Sequence, residues 1–98
     1  MGNYKVVADP LVKNDLIEAR DFLESRRKGY GLKFIQEYKS LLNSLKINPT
    51  FQNRYKEIHC LPMPTFKYMI HFKIIETTKT VIVYAVLSNY VDPKNKWL

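Results

Sequence analysis

The sequence predicts an α+β fold in which an antiparallel β-sheet packs against an N-terminal α-helical hairpin, in the order β-α-α-β-β-β. Three observations in the 98 residues carry this. Apolar residues recur at helical spacing in two consecutive segments of the first half. The run FKYMIHFKII (66–75) alternates apolar with polar, the mark of a half-buried strand. The run TVIVYAVLS (80–88) is almost continuously apolar, as a doubly covered central strand should be.

The opening segment NYKVV (3–7) is β-prone and reads as a first strand. Asp9-Pro10 then signals a helix start: a carboxylate can accept from orphan backbone amides, and proline loses no hydrogen bond in the first turn. Val12, Leu16, Ala19 and Leu23 form a stripe, and Lys13, Asp15, Glu18 and Asp21 lie mostly off it, so a helix is expected over 10–27. Arg26, Arg27 and Lys28 suit the negative end of that helix. Gly29-Tyr30-Gly31 permits a reversal. A second helix is expected over 32–47, with Phe34, Tyr38, Leu41 and Leu45 as its stripe, stopped by Asn48-Pro49. The short connection implies an antiparallel hairpin.

Residues 50–54 read as a polar loop and 55–61 as a strand. Pro62-Met63-Pro64 reads as a connector, since proline has no amide for a central ladder. The strand over 66–75 follows, then a polar turn at 76–79 without an Asn-Gly signal, then the strand over 80–88. The last three strands should form a meander, with the first strand at its edge. One domain over 1–98 is expected.

Composition narrows the function. Sixteen Lys and Arg against nine Asp and Glu give a net charge of +7, which suits an anionic partner such as nucleic acid, a ribosome or an acidic protein. Cys60 is the single cysteine, so no intramolecular disulfide and no cysteine-based zinc cluster can form, and no metal or other cofactor is expected. MGNYKVVADP has no apolar core of leader length, and the longest apolar run is 81–87. A cytoplasmic chain with no membrane partner is expected.

Taken in order, NYKVVADPLVKNDLIEARDFL, a second helix with Phe34 near its start, FKYMIHFKI and VIVYAVLSNYVDPKNKWL resemble the RelE/ParE superfamily of bacterial type II toxins. The ParE-like, plasmid-stabilisation branch is the nearer one, and the resemblance spans essentially the whole chain. It implies a toxin neutralised by a cognate antitoxin, as a homodimer or a hetero-oligomer with that antitoxin. RelE-like members cut mRNA in the ribosomal A site; ParE-like members inhibit DNA gyrase.

The RelE-like pattern has an arginine just after the tyrosine of the middle strand, where this chain has Met69. It often has His-Arg after the last strand, where this chain has Ser88-Asn89. Each lost charged donor costs about 3 kcal/mol of transition-state stabilisation, or two to three decades in rate. The resemblance therefore favours a toxin that acts by binding, with gyrase the first target. Ribosome-dependent mRNA cleavage stays open through a relocated cluster of Lys67, His71, Lys73 and Tyr84. Lys67, Met69, His71 and Lys73 share one strand face by alternation, and the plain reading of that face is a solvated sheet surface. A degenerate, non-toxic interaction module is the third reading. Arg54, Lys56, Lys94, Lys96 and Trp97 are the candidates for target or nucleic-acid contact. His59 and Cys60 read as structural: sequence neighbours on a strand point to opposite faces.

Overall fold

The computed structural model describes residues 3–49, 54–55 and 57–89, with backbone only at 54–55. The elements are β1 (Lys5–Ala8), α1 (Val12–Arg26), α2 (Tyr30–Ile47), β2 (Arg54–Tyr55), β3 (Ile58–Pro62), β4 (Tyr68–Ile75) and β5 (Thr80–Ser88). The sheet order is β1-β5-β4-β3-β2. β3, β4 and β5 run antiparallel in turn, as expected, and β2 adds to β3 antiparallel. β1 lies at the meander's edge but pairs with β5 in parallel, from Lys5↔Thr80 to Ala8↔Val83. The expected antiparallel meander with the first strand at its edge is present, and the parallel pairing of β1 makes the whole sheet mixed. The chain between β1 and β5 crosses over the sheet through the helical hairpin, and such a crossover can return a strand parallel to the first.

Boundaries moved for local reasons. Pro10 and Leu11 form a turn ahead of α1: Leu11 N–H donates to Asp9 Oδ1 (3.0 Å) and Val12 N–H to the Asp9 carbonyl (2.9 Å). At the hairpin, Gly29 alone takes the left-handed conformation, with φ +91°. Gly31 instead sits inside α2, where a Cβ would lie 3.0 Å from the Arg20 carbonyl oxygen. The Glu24 carboxylate accepts from Gly29 N–H and Gly31 N–H (3.0–3.1 Å), capping α2 from the neighbouring helix. These backbone bonds hold its carboxyl below the usual range.

The second expected strand, over 55–61, divides into β2 and β3. β3 runs on through Pro62, paired with Met69, rather than stopping before it. β2 covers only Ile58 and His59, so Pro62 stands at an edge where no second ladder needs its amide. β4 begins at Tyr68 rather than 66, because Tyr68 N–H closes a tight turn onto the Phe66 carbonyl (2.9 Å). The 76–79 turn closes with Lys79 at φ 51° and its N–H on the Glu76 carbonyl (3.2 Å).

The core lies between the helices and one sheet face. Phe34, Tyr38 and Leu45 of α2 and Val12 and Ala19 of α1 pack on Leu61, Ile70, Phe72, Val81, Val83 and Val86. Phe34 is fully buried and meets Phe66 and Tyr68 edge-on, at 5.7 and 5.2 Å between ring centres. Burying such a ring stabilises by about 2–3 kcal/mol, with about 1 kcal/mol more from edge-on pairing. Burial pushes the Tyr38 phenol up to about 12. Among the described residues, no helix is long and apolar enough to cross a membrane.

Candidate functional site

The site is built by an irregularity in the last two strands. His71 pairs with Ala85 and Phe72 with Val83, so Tyr84 is an extra residue of β5 with no partner on β4. Such a bulge bends its strand and re-aims a side chain. β1 ends opposite Val83, so among the described residues the outer edge of β5 has no strand neighbour from Tyr84 onward. Helix α1 takes over there: Asp15 Oδ2 accepts from Val86 N–H at 3.1 Å. Between the start of α1 and the sheet face turned away from the core lies a cavity of about 470 Å³. Its described walls include Leu11 and Ile58, the carboxylates of Asp9 and Asp15, and the side chains of Lys73 and Tyr84.

The expected cluster divides. Lys73 and Tyr84 line this cavity together, both half-buried. Lys67 is exposed in the bend before β4, where its carbonyl accepts from Asn89 N–H (2.9 Å). His71 is only 3% exposed, and its Nδ1 lies 3.3 Å from Cys60 Sγ. The plain expectation of a solvated polar face is therefore corrected. Cys60, His71, Ala85 and Leu87 are buried, and Met69 and Lys73 are half-buried.

Cys60 and His71 bring a thiol and an imidazole into contact, a pairing the sequence neighbours His59 and Cys60 do not make. His59 stacks instead on Phe72 of the core-facing side, 5.4 Å between ring centres. The pair does not form an activated nucleophile. Burial pushes the Cys60 thiol up, and burial lowers His71 to about 4 against the opposing pull of Asp15. Both shifts favour neutral thiol beside neutral imidazole, and not thiolate beside imidazolium. At neutral pH His71 is not a proton donor of the kind an imidazolium would be.

Ser88 lines a second, smaller cavity with Asp15, Glu18, Phe22 and Tyr68, and Asn89 is exposed. Burial first, and Glu18 second, raise the Tyr68 phenol. The helix-end cations are exposed and stack on aromatic rings: Arg26 over Phe22 at 5.1 Å and Arg27 over Tyr30 at 5.4 Å. Arg54 is placed by its backbone, opposite His59 at the β2 edge. Lys56, Lys94, Lys96 and Trp97 lie outside the described residues.

The architecture has a solved counterpart. It superposes on a chain of a structure described as the chromosomal ParDE TA system from P. aeruginosa, with a TM-score of 0.73. The match covers 87% of this chain and 95% of that one. At 12% identity the likeness is one of fold. No family model matches the sequence, and no curated protein matches it. The expected RelE/ParE-like fold is thus present: a helical hairpin against a sheet, within the span the ParDE chain occupies.

Proposed function

We propose that this chain is the toxin of a type II toxin–antitoxin module, that it acts by binding its target, and that a cognate antitoxin neutralises it. The observation that carries this reading is the superposition on a ParDE chain over nearly the full length of both. The net charge of +7 suits an acidic antitoxin segment. Binding is favoured over RNA cleavage by the residues at the site. Met69 and Ser88-Asn89 supply no cation to a phosphate. His71 is neutral and buried. Among the described residues, the cavity holding Lys73 also holds two carboxylates, which repel a phosphate.

DNA gyrase is the first target to test. Purified chain at stoichiometric excess should inhibit supercoiling by gyrase, and an equimolar antitoxin should restore it. Undiminished supercoiling would remove gyrase as the target. The shared cavity wall of Lys73 and Tyr84 keeps one rival specific, a ribosome-dependent endoribonuclease. Message cut at the A site in a translation extract, and lost with Lys73→Met, would establish that rival and sink the binding-only reading.

A further inference from the structure

We infer that Cys60, Met69 and His71, on the sheet face turned away from the core, form a site for a monovalent soft metal ion of the copper(I) class. Strand register places the three donors together. Cys60 pairs with His71 across β3 and β4, and Met69 precedes His71 on the same face, opposite Pro62. Met69 is therefore a diagonal neighbour of Cys60, a separation that a long side chain spans. Cys60 Sγ already lies 3.3 Å from His71 Nδ1. With first-row bond lengths of about 2.3 Å to sulfur and about 2.0 Å to nitrogen, a trigonal ion holds those two atoms about 3.7 Å apart. The pair has to open by only about 0.4 Å to admit it. Ligation at Nδ1 leaves Nε2 for the outer bond that orients a ligating imidazole.

The donor set selects the ion. Thiolate and thioether sulfur beside an imidazole favour a soft ion such as copper(I), while carboxylate and carbonyl oxygens suit harder ones. Charge points the same way. Cys60 and His71 are buried, and on β5 their strand neighbours Ala85 and Leu87, opposite His71 and Met69, are buried and apolar. A monovalent ion on a thiolate is neutral in that setting, whereas a divalent ion leaves a net positive charge there. Asp15, whose charge acts on His71, and Lys73, farther along the same face, bring one charge of each sign, so the ligands themselves set the balance. As the sulfur–metal bond forms, the thiol proton leaves to solvent and no electron is transferred. Met69 is half-buried, so its thioether gives the ion a way in from solvent. A single cysteine excludes a zinc cluster of cysteines but not this site of three different donors.

The test offers copper(I) to the full chain without oxygen, from the coloured chelator bicinchoninate, and reads both the copper withdrawn and the NMR shifts of labelled protein. About one equivalent should leave the chelator. Shifts should centre on the His71 ring and the Met69 methyl, with the buried Met63 methyl unmoved. Zinc(II) should bind at least about a hundredfold more weakly. Cys60→Ser should abolish the withdrawal, and Met69→Leu and His71→Gln should each weaken it by about tenfold. Leucine nearly conserves the volume of methionine, and the amide spectrum of each variant reports that the fold is kept. Three results would overturn the inference: no copper withdrawn, zinc(II) held as tightly, or either Met69→Leu or His71→Gln holding copper as the parent does, the mark of a lone thiolate. None of these readouts involves gyrase, ribosome or antitoxin, so the site stands or falls apart from the toxin proposal.

Discussion

Protonation of His71 should make the fold acid-labile in a defined window. The imidazole is 3% exposed, packed against Cys60, and lowered by burial to about 4, with Asp15 pulling the other way. In the unfolded chain it titrates near the ordinary imidazole value of about 6.5. Above pH 6.5 neither state binds the proton, and the neutral buried ring costs nothing extra. As pH falls from 6.5 towards 4 the unfolded chain takes the proton and the folded one does not, so stability drops with pH. A difference of about 2.5 units, at 1.36 kcal/mol each, amounts to about 3 kcal/mol, reached near pH 4. That is a large share of the 5–15 kcal/mol typical of a domain. Urea unfolding from pH 7.5 to 4 should be measured for the parent chain and for His71→Gln. The carboxylates titrate in both, so the difference between the two curves isolates His71. It should be flat above pH 6.5 and change by about 3 kcal/mol below it. Parallel curves, or an NMR titration placing the His71 midpoint near 6.5, would refute the reasoning.

Other consequences are local. Gly31→Ala puts a methyl 3.0 Å from the Arg20 carbonyl and should cost about 1–3 kcal/mol in urea unfolding; an unchanged midpoint would contradict the tight helix crossing. Lys79→Gly should stabilise by up to about 1 kcal/mol, because Lys79 holds φ 51° where glycine pays no Cβ penalty; a lower melting temperature would count against this. Cys60, buried and with its thiol pushed up, should resist a thiol-reactive dye in the folded chain and react stoichiometrically in denaturant. Fast labelling of the native protein would show that the Cys60–His71 pair is open.

Much of the fold was readable because it rests on local periodicity. The stripe Val12, Leu16, Ala19 and Leu23 and the alternation Ile70, Phe72 and Ile74 each report a buried face directly, and those residues pack into the core. The direction of β1 was not readable, since residues 5–8 do not record whether Thr80 is met head-first or tail-first. The bulge at Tyr84 was hidden for a related reason: a continuous apolar strand has no alternation whose slip could be seen. It moves residues 85–88 out of simple register with β4. The site suffered more than the fold. Lys67 and His71 lie in period with Lys73, but the bend before Tyr68 removes the first and the coverage of the outer sheet face buries the second. The Cys60–His71 contact joins two strands through register, 11 residues apart, and the cavity depends on Asp9 and Asp15 arriving from the start of α1. A polar residue beside an apolar helix stripe, as Asp15 is, gives no sign that it will cap a distant strand edge.

The central claim is a toxin that binds its target and leaves message intact. Controlled expression in a bacterial host, with growth, DNA replication and translation followed separately, tests it most directly. Growth and replication should stop while translation continues on uncut mRNA, and co-expression of a small neighbouring antitoxin gene should release the arrest. Undisturbed growth, or mRNA cut at the ribosomal A site as the first event, would contradict it.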